Sequence, residues 1–184
     1  MHIYISLLRG INVSGQKIIK MDALRHMYEA LGFEQVQSYL QSGNVIFQAA
    51  EINTLELAER ITAQIANTFG FDVVVLVLTT ETLREIIQNS PFAGDATKDN
   101  ANCYVTYLER LSTSGAVESI TSKALPEEKI CFTDRAVYLY CPKGYGTSKL
   151  SNNLIESKMK VRATTRNWKT TVELMRMAGE RGTD

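Results

Sequence analysis

Residues 36–48 read Val36-Gln37-Ser38-Tyr39-Leu40-Gln41-Ser42-Gly43-Asn44-Val45-Ile46-Phe47-Gln48. Val36, Ser38 and Leu40 alternate with Gln37, Tyr39 and Gln41, the period of two of a half-buried strand. Ser42-Gly43-Asn44 supplies residues suited to a tight turn, and Val45–Gln48 resumes an extended run. The spacing predicts a β-hairpin. Upstream, Ile3, Ile5 and Leu7 alternate with Tyr4 and Ser6 as a strand, and Met21, Leu24, Tyr28 and Leu31 recur at helical spacing until Gly32. Downstream, Thr54 is placed to cap a helix with the apolar stripe Leu57, Ile61, Ile65 and Phe69, closed by Gly70. Val73–Leu78 is an unbroken apolar run, the signature of a strand buried on both faces. The order is βαββαβ, the ferredoxin-like or split-βαβ pattern. Its fourth strand ordinarily lies at a sheet edge, so the reading implies a cover for Val73–Leu78, most simply the second half of the chain.

Beyond that strand, Thr80, Leu83, Ile86 and Ile87 mark a helix that stops near Pro91, and the polar stretch 93–101 reads as a link. A similar order then begins: a strand over Asn102–Leu108, a helix over Ser112–Lys123, and a hairpin of Lys129–Thr133 and Val137–Cys141. Two helices, around Leu150–Met159 and Arg166–Ala178, finish the chain. The expected fold class is α+β, a ferredoxin-like first half (residues 1–92) packed on a related α/β second half (residues 93–184) that carries the two C-terminal helices.

Composition narrows the function classes. The 184 residues carry 20 Lys+Arg and 20 Asp+Glu, with 45% hydrophobic residues, an ordinary globular mixture. A neutral chain disfavours nucleic-acid binding driven by overall charge. Neutrality is not uniform: residues 1–92 are net −3, residues 93–184 net +3, and Lys143–Arg176 alone net +6. No apolar run is long enough to span a membrane or to serve as a secretory leader, which places the protein in the cytoplasm. Cys103, Cys131 and Cys141 fall in strand-like runs without C-x-x-C spacing, and the only histidines are His2 and His26. That inventory offers no metal site and implies no cofactor.

Three segments hold residues that packing does not obviously require. Arg9-Gly10-Ile11-Asn12-Val13-Ser14-Gly15-Gln16-Lys17 combines two glycines with cations, a composition able to cradle an anion, but it lacks the G-K-[ST] ending of a P-loop. Ser42 and Asn44 sit in the hairpin turn, where turn chemistry alone accounts for most of the segment. Gly144 and Gly146 precede Ser148-Lys149-Leu150, a glycine loop that opens a helix. Thr164 or Thr165 is suited to N-cap the last helix, which would put Arg166 in its first turn. A cation there opposes the helix dipole unless an anion occupies the same helix end.

Leu8-Arg9-Gly10-Ile11-Asn12-Val13, the hairpin Tyr39–Phe47, Ser148-Lys149-Leu150 and Thr164-Thr165-Arg166-Asn167-Trp168 together resemble an uncharacterised bacterial family filed as a domain of unknown function. That family is recognised by an L-R-G-I-N-V-G-G start and a T-T-R-N-W motif; here Ser14 stands where it usually has glycine. The resemblance covers nearly the whole chain. It implies a ferredoxin-like α+β fold and brings no activity or catalytic residue.

The first functional reading is a binding protein for a phosphorylated small molecule or nucleotide, held between the halves by Arg9, Asn12, Lys17, Ser42, Asn44, Lys149, Arg166 and Asn167. The second is nucleic-acid binding through the basic 143–176 region. A cofactor-independent enzyme is the third, although no pair of candidate acid and base stands out. In a fourth, the motifs are structural and Asn12, Asn44 and Asn167 satisfy backbone groups in loops. Neither the oligomeric state nor the ligand's identity follows from the residues.

Overall fold

The structure is a computed structural model that describes residues 1–110 and 116–180. It divides into two compact units: Met1–Leu83, joined by the C-terminal segment from Leu174, and Arg84–Glu173. The polar stretch 93–101 lies within the second unit.

The first unit runs β1 (His2–Leu8), α1 (Met21–Ala30), β2 (Glu34–Tyr39), β3 (Asn44–Ala49), α2 (Thr54–Phe69) and β4 (Val75–Thr79). Its strands form an antiparallel sheet in the order β2-β3-β1-β4. This is the split arrangement that the element order predicts. On one face, Tyr4, Leu8, Val45, Phe47, Val75 and Val77 pack with Leu24 and Tyr28 of α1 and Leu57, Ile61 and Ile65 of α2. Rings concentrate there: Phe33 and Phe47 lie 4.6 Å apart, and Tyr28 meets Phe47 edge-on at 5.5 Å. The buried Tyr28 hydroxyl has a partner in Ser6 Oγ at 2.8 Å. Leu76 and Leu78 point to the opposite face and are buried as well, so β4 is an edge strand with both faces covered. Helix α2 is capped by Asn53, whose side chain accepts from Leu55 N and Glu56 N; Thr54 is its first residue, not its cap.

Helix α3 (Thr80–Gln88) follows β4 directly. The chain continues with β5 (Cys103–Leu108), α4 (Val117–Thr121), β6 (Lys129–Phe132), β7 (Ala136–Tyr140), α5 (Asn152–Met159), β8 (Ala163–Asn167) and α6 (Trp168–Gly179), whose last residues from Leu174 count with the first unit. The sheet order is β6-β7-β5-β8, the same permutation as in the first unit. Leu108, Val137, Leu139 and Ala163 pack with Ile120 of α4 and with Ile155 and Met159 of α5.

Two sequence expectations change here. Strand β8 stands where a helix start was expected, because Thr164 and Thr165 are drawn into a ladder with β5. β-branched residues suit a strand once a partner strand is present. Helix α5 starts at Asn152 behind the Ser151 cap, two residues later than the glycine-loop reading placed it. Part of the helix expected over 112–123 lies outside the described residues.

Gly43 fixes the first hairpin against β1. It has φ +74°, and a Cβ there would stand 2.6 Å from Leu8 Cβ and 2.8 Å from Ile11 Cδ1. Its carbonyl accepts from Leu8 N at 2.8 Å. Gly70, at the end of α2, has φ +72° but open space around the same position. Gly70→Ala is therefore expected to cost about 1–2 kcal/mol for the backbone conformation alone. Gly43→Ala is expected to cost about 1–3 kcal/mol more for overpacking. Urea denaturation of the two variants checks the difference.

Candidate functional site

The loop after β1 is a small hairpin. Asn12 N donates to Lys17 O at 3.2 Å, and Gln16 N donates to Val13 O at 2.9 Å. Ser14 and Gly15 at its tip have φ +51° and +74°. Positive φ at both central residues defines a type I′ turn, and Ser14 is held in a conformation that glycine adopts without strain. Asn12 anchors the base. Its Nδ2 donates to Ile19 O (2.9 Å) and to Gln41 O (2.8 Å), and its Oδ1 accepts from Ile19 N (2.8 Å). Lys17 Nζ donates to the Asp72 carbonyl. Asn44 is fully buried, and its Nδ2 donates to Tyr39 O (2.9 Å) and Ser42 Oγ (3.0 Å). Asn12, Ser42 and Asn44 thus meet where the loop crosses the hairpin turn. Arg9, half-buried, follows β1 and donates its backbone N–H to Val74 O.

In the second unit, Lys149 is exposed in the loop before α5. Arg166 is not in a helix. It is the fourth residue of β8, paired with Val105, so the argument for an anion at the start of the last helix does not apply. Its Nη1 donates to Thr164 Oγ1 and to Thr165 O, both at 2.9 Å, and burial pulls the guanidinium pKa down to about 10. Asn167 provides the cap: its Oδ1 accepts from Thr170 N at 2.8 Å.

The Thr-Thr-Arg-Asn segment also closes a sheet edge. Glu109 N donates to Arg162 O, so the ladder turns the N–H and C=O of Ala163 and Thr165 away from β5. Glu156 Oε1 accepts from Ala163 N, Asn152 Nδ2 donates to Ala163 O, and Arg166 takes Thr165 O. Side chains therefore occupy backbone positions that a further strand would need. On the helix-facing side, Thr165 Oγ1 bonds Thr106 Oγ1 (2.8 Å), donates to Asn152 Oδ1 (3.0 Å) and accepts from Tyr145 OH (3.3 Å).

The basic C-terminal stretch is partly neutralised by acids outside it. Lys143 pairs with Glu127 at 2.5 Å, Arg162 with Glu109 at 3.7 Å, and Arg176 with Glu180. Arg162, despite its pairing with Glu109, also belongs to a group of neighbouring cations. In Lys158-Met159-Lys160-Val161-Arg162, Met159 and Val161 are buried while the three cations are exposed. Arg110 joins them by donating from Nη2 to Lys160 O at 3.0 Å. Sequence reasoning counted three of these charges but not the group, although the alternation of cation and apolar residue was visible. Lys160 closes α5 with φ +57°, a position that glycine ordinarily fills.

Burial pushes the Cys141 thiol up to about 11 and raises that of Cys103. Among the described residues, no group of three His, Cys, Asp or Glu side chains could hold a metal ion, and no helix is long and apolar enough to cross a membrane.

The architecture is that of an α+β protein built from two units of like topology. Residues 1–138 match the family described as "Protein of unknown function (DUF1697)", and the chain belongs to that family. The solved structure of the conserved bacterial protein SP0830 from Streptococcus pneumoniae is similar to it: 25% identity over 96% of this chain and 98% of that one, with a TM-score of 0.77. No curated protein matches the chain.

Two expectations follow from the hydrogen bonding. Asn12→Ala and Thr165→Val each lower stability by about 1–3 kcal/mol in chemical denaturation, because each strands buried or half-buried partners. Unchanged or raised stability would mean that the residue is held for a ligand instead. Cys141 in the folded protein resists Ellman's reagent at mildly alkaline pH. Burial favours its neutral form, so its share of stability is complete below pH 9.0 and is lost as the pH climbs through about 11.

Proposed function

We propose that the protein binds nucleic acid, through phosphate contacts to Arg110, Lys158, Lys160 and Arg162. The observation that carries this reading is Lys160. A lysine in the left-handed conformation costs about 1 kcal/mol or more relative to glycine. Cations near a helix C-terminus recover about 0.3–1 kcal/mol from the dipole, which accounts for one such residue and not for four gathered together. All four side chains are exposed, which suits an extended polyanion better than a small ligand that must be enclosed. The residues of the small-molecule reading offer less: Asn12, Lys17, Asn44 and Asn167 direct polar atoms at the protein's own backbone.

The test is fluorescence anisotropy with a labelled single-stranded oligonucleotide. Four phosphate contacts predict that log Kobs falls against log salt with a slope of about −3. Lys160→Gly is expected to raise the melting temperature while weakening binding and shrinking that slope by about 1. A slope near zero, or a Lys158→Gln/Lys160→Gln protein that binds as the parent does, overturns the reading.

A further inference from the structure

A cavity of about 200 Å³ in the second unit lies between the end of α3 and the turn that joins β6 to β7. Its inner wall is hydrogen-bonded to the surrounding backbone. Tyr138 is buried, and its hydroxyl donates to the Ile86 carbonyl at 2.7 Å. Thr133 Oγ1 is tied to both the N–H and the C=O of Ala136. Its outer wall carries charge of both signs: Glu85, Asp134 and Arg135, with the Asn89 amide beside them. All four are exposed. The two carboxylates make no ion pair with Arg135, although Asp134 precedes it directly in the chain. The cavity therefore offers charges of both signs to one ligand.

We propose that this cavity binds a small zwitterion, a free α-amino acid, with its ammonium group received by Glu85 and Asp134 and its carboxylate by Arg135. The Asn89 amide lies within the same wall and can serve either end. The Tyr138 hydroxyl, which donates to the Ile86 carbonyl, is a neutral polar group of the inner wall. Burial pushes its pKa up to about 12, so it stays neutral across the physiological range. The volume is below the roughly 300–1,000 Å³ of pockets for drug-sized ligands, which limits the ligand to a compact molecule. None of Arg110, Lys158, Lys160 and Arg162 lines this cavity, so the site stands or falls separately from the phosphate-binding surface.

The experiment is a ¹⁵N–¹H NMR titration of the full chain with the common L-amino acids at millimolar concentration, with methylamine and acetate as half-ligands. At least one amino acid is expected to give saturable shifts at the amides of Glu85, Asn89, Asp134 and Arg135. Asp134→Asn and Arg135→Gln, both at an exposed turn, are each expected to weaken that binding by about tenfold or more with the melting temperature unchanged. The proposal is overturned if no amino acid gives a saturable shift at these amides, or if methylamine or acetate alone shifts them as strongly as the best amino acid.

Discussion

In each unit one of the two inner strands joins the hairpin to the last strand, and the rest of the unit is arranged around it. β1 lies between β3 and β4, and β5 lies between β7 and β8. Side chains alternate along a strand, so a slip of one residue at either centre would exchange its buried faces. In the first unit the register is held by steric fit. Gly43 lets the hairpin turn approach Leu8 and Ile11 more closely than any side chain would allow. In the second, Thr106 and Thr165 face each other across the ladder and share a hydrogen bond.

Many of the residues that look functional in the sequence act as fasteners in this framework. Asn12 ties a loop to a turn, Asn44 braces the hairpin, and Asn167 caps α6. Glu156, Asn152 and Arg166 occupy the outward backbone groups of β8. A sheet that leaves such groups open invites pairing with another chain, and polar side chains directed at them remove the template. Loops rich in Gly, Asn and Arg can therefore arise from the need to satisfy backbone groups as readily as from ligand binding.

Net charge conceals the electrostatics. The chain is neutral, and several cations of its basic stretch are paired with acids from other segments. Exposed positive charge gathers where β5 ends and α5 passes into β8. Arg110 reaches it only because Glu109 and Arg162 are ladder neighbours. The mixed-charge cavity at the β6–β7 turn likewise draws on residues about fifty positions apart in the chain.

By itself the sequence determined the strands other than β8, the hairpins and most helices, because periods of two and 3.6 and the turn residue Gly43 are local signals. It also marked Val73–Leu78 as a strand buried on both faces, which holds for Val75–Leu78 of β4, since an unbroken apolar run carries that information without reference to any partner. Strand β8 was beyond it. Thr164-Thr165-Arg166-Asn167 has the composition of a helix start, and only pairing with β5 makes it extended. The roles of Asn12, Thr165 and Arg166, the company that Arg110 keeps and the cavity beside Tyr138 were likewise decided by tertiary structure. Each depends on hydrogen bonds or proximity between segments far apart in the chain, and such contacts leave no period for the sequence to display.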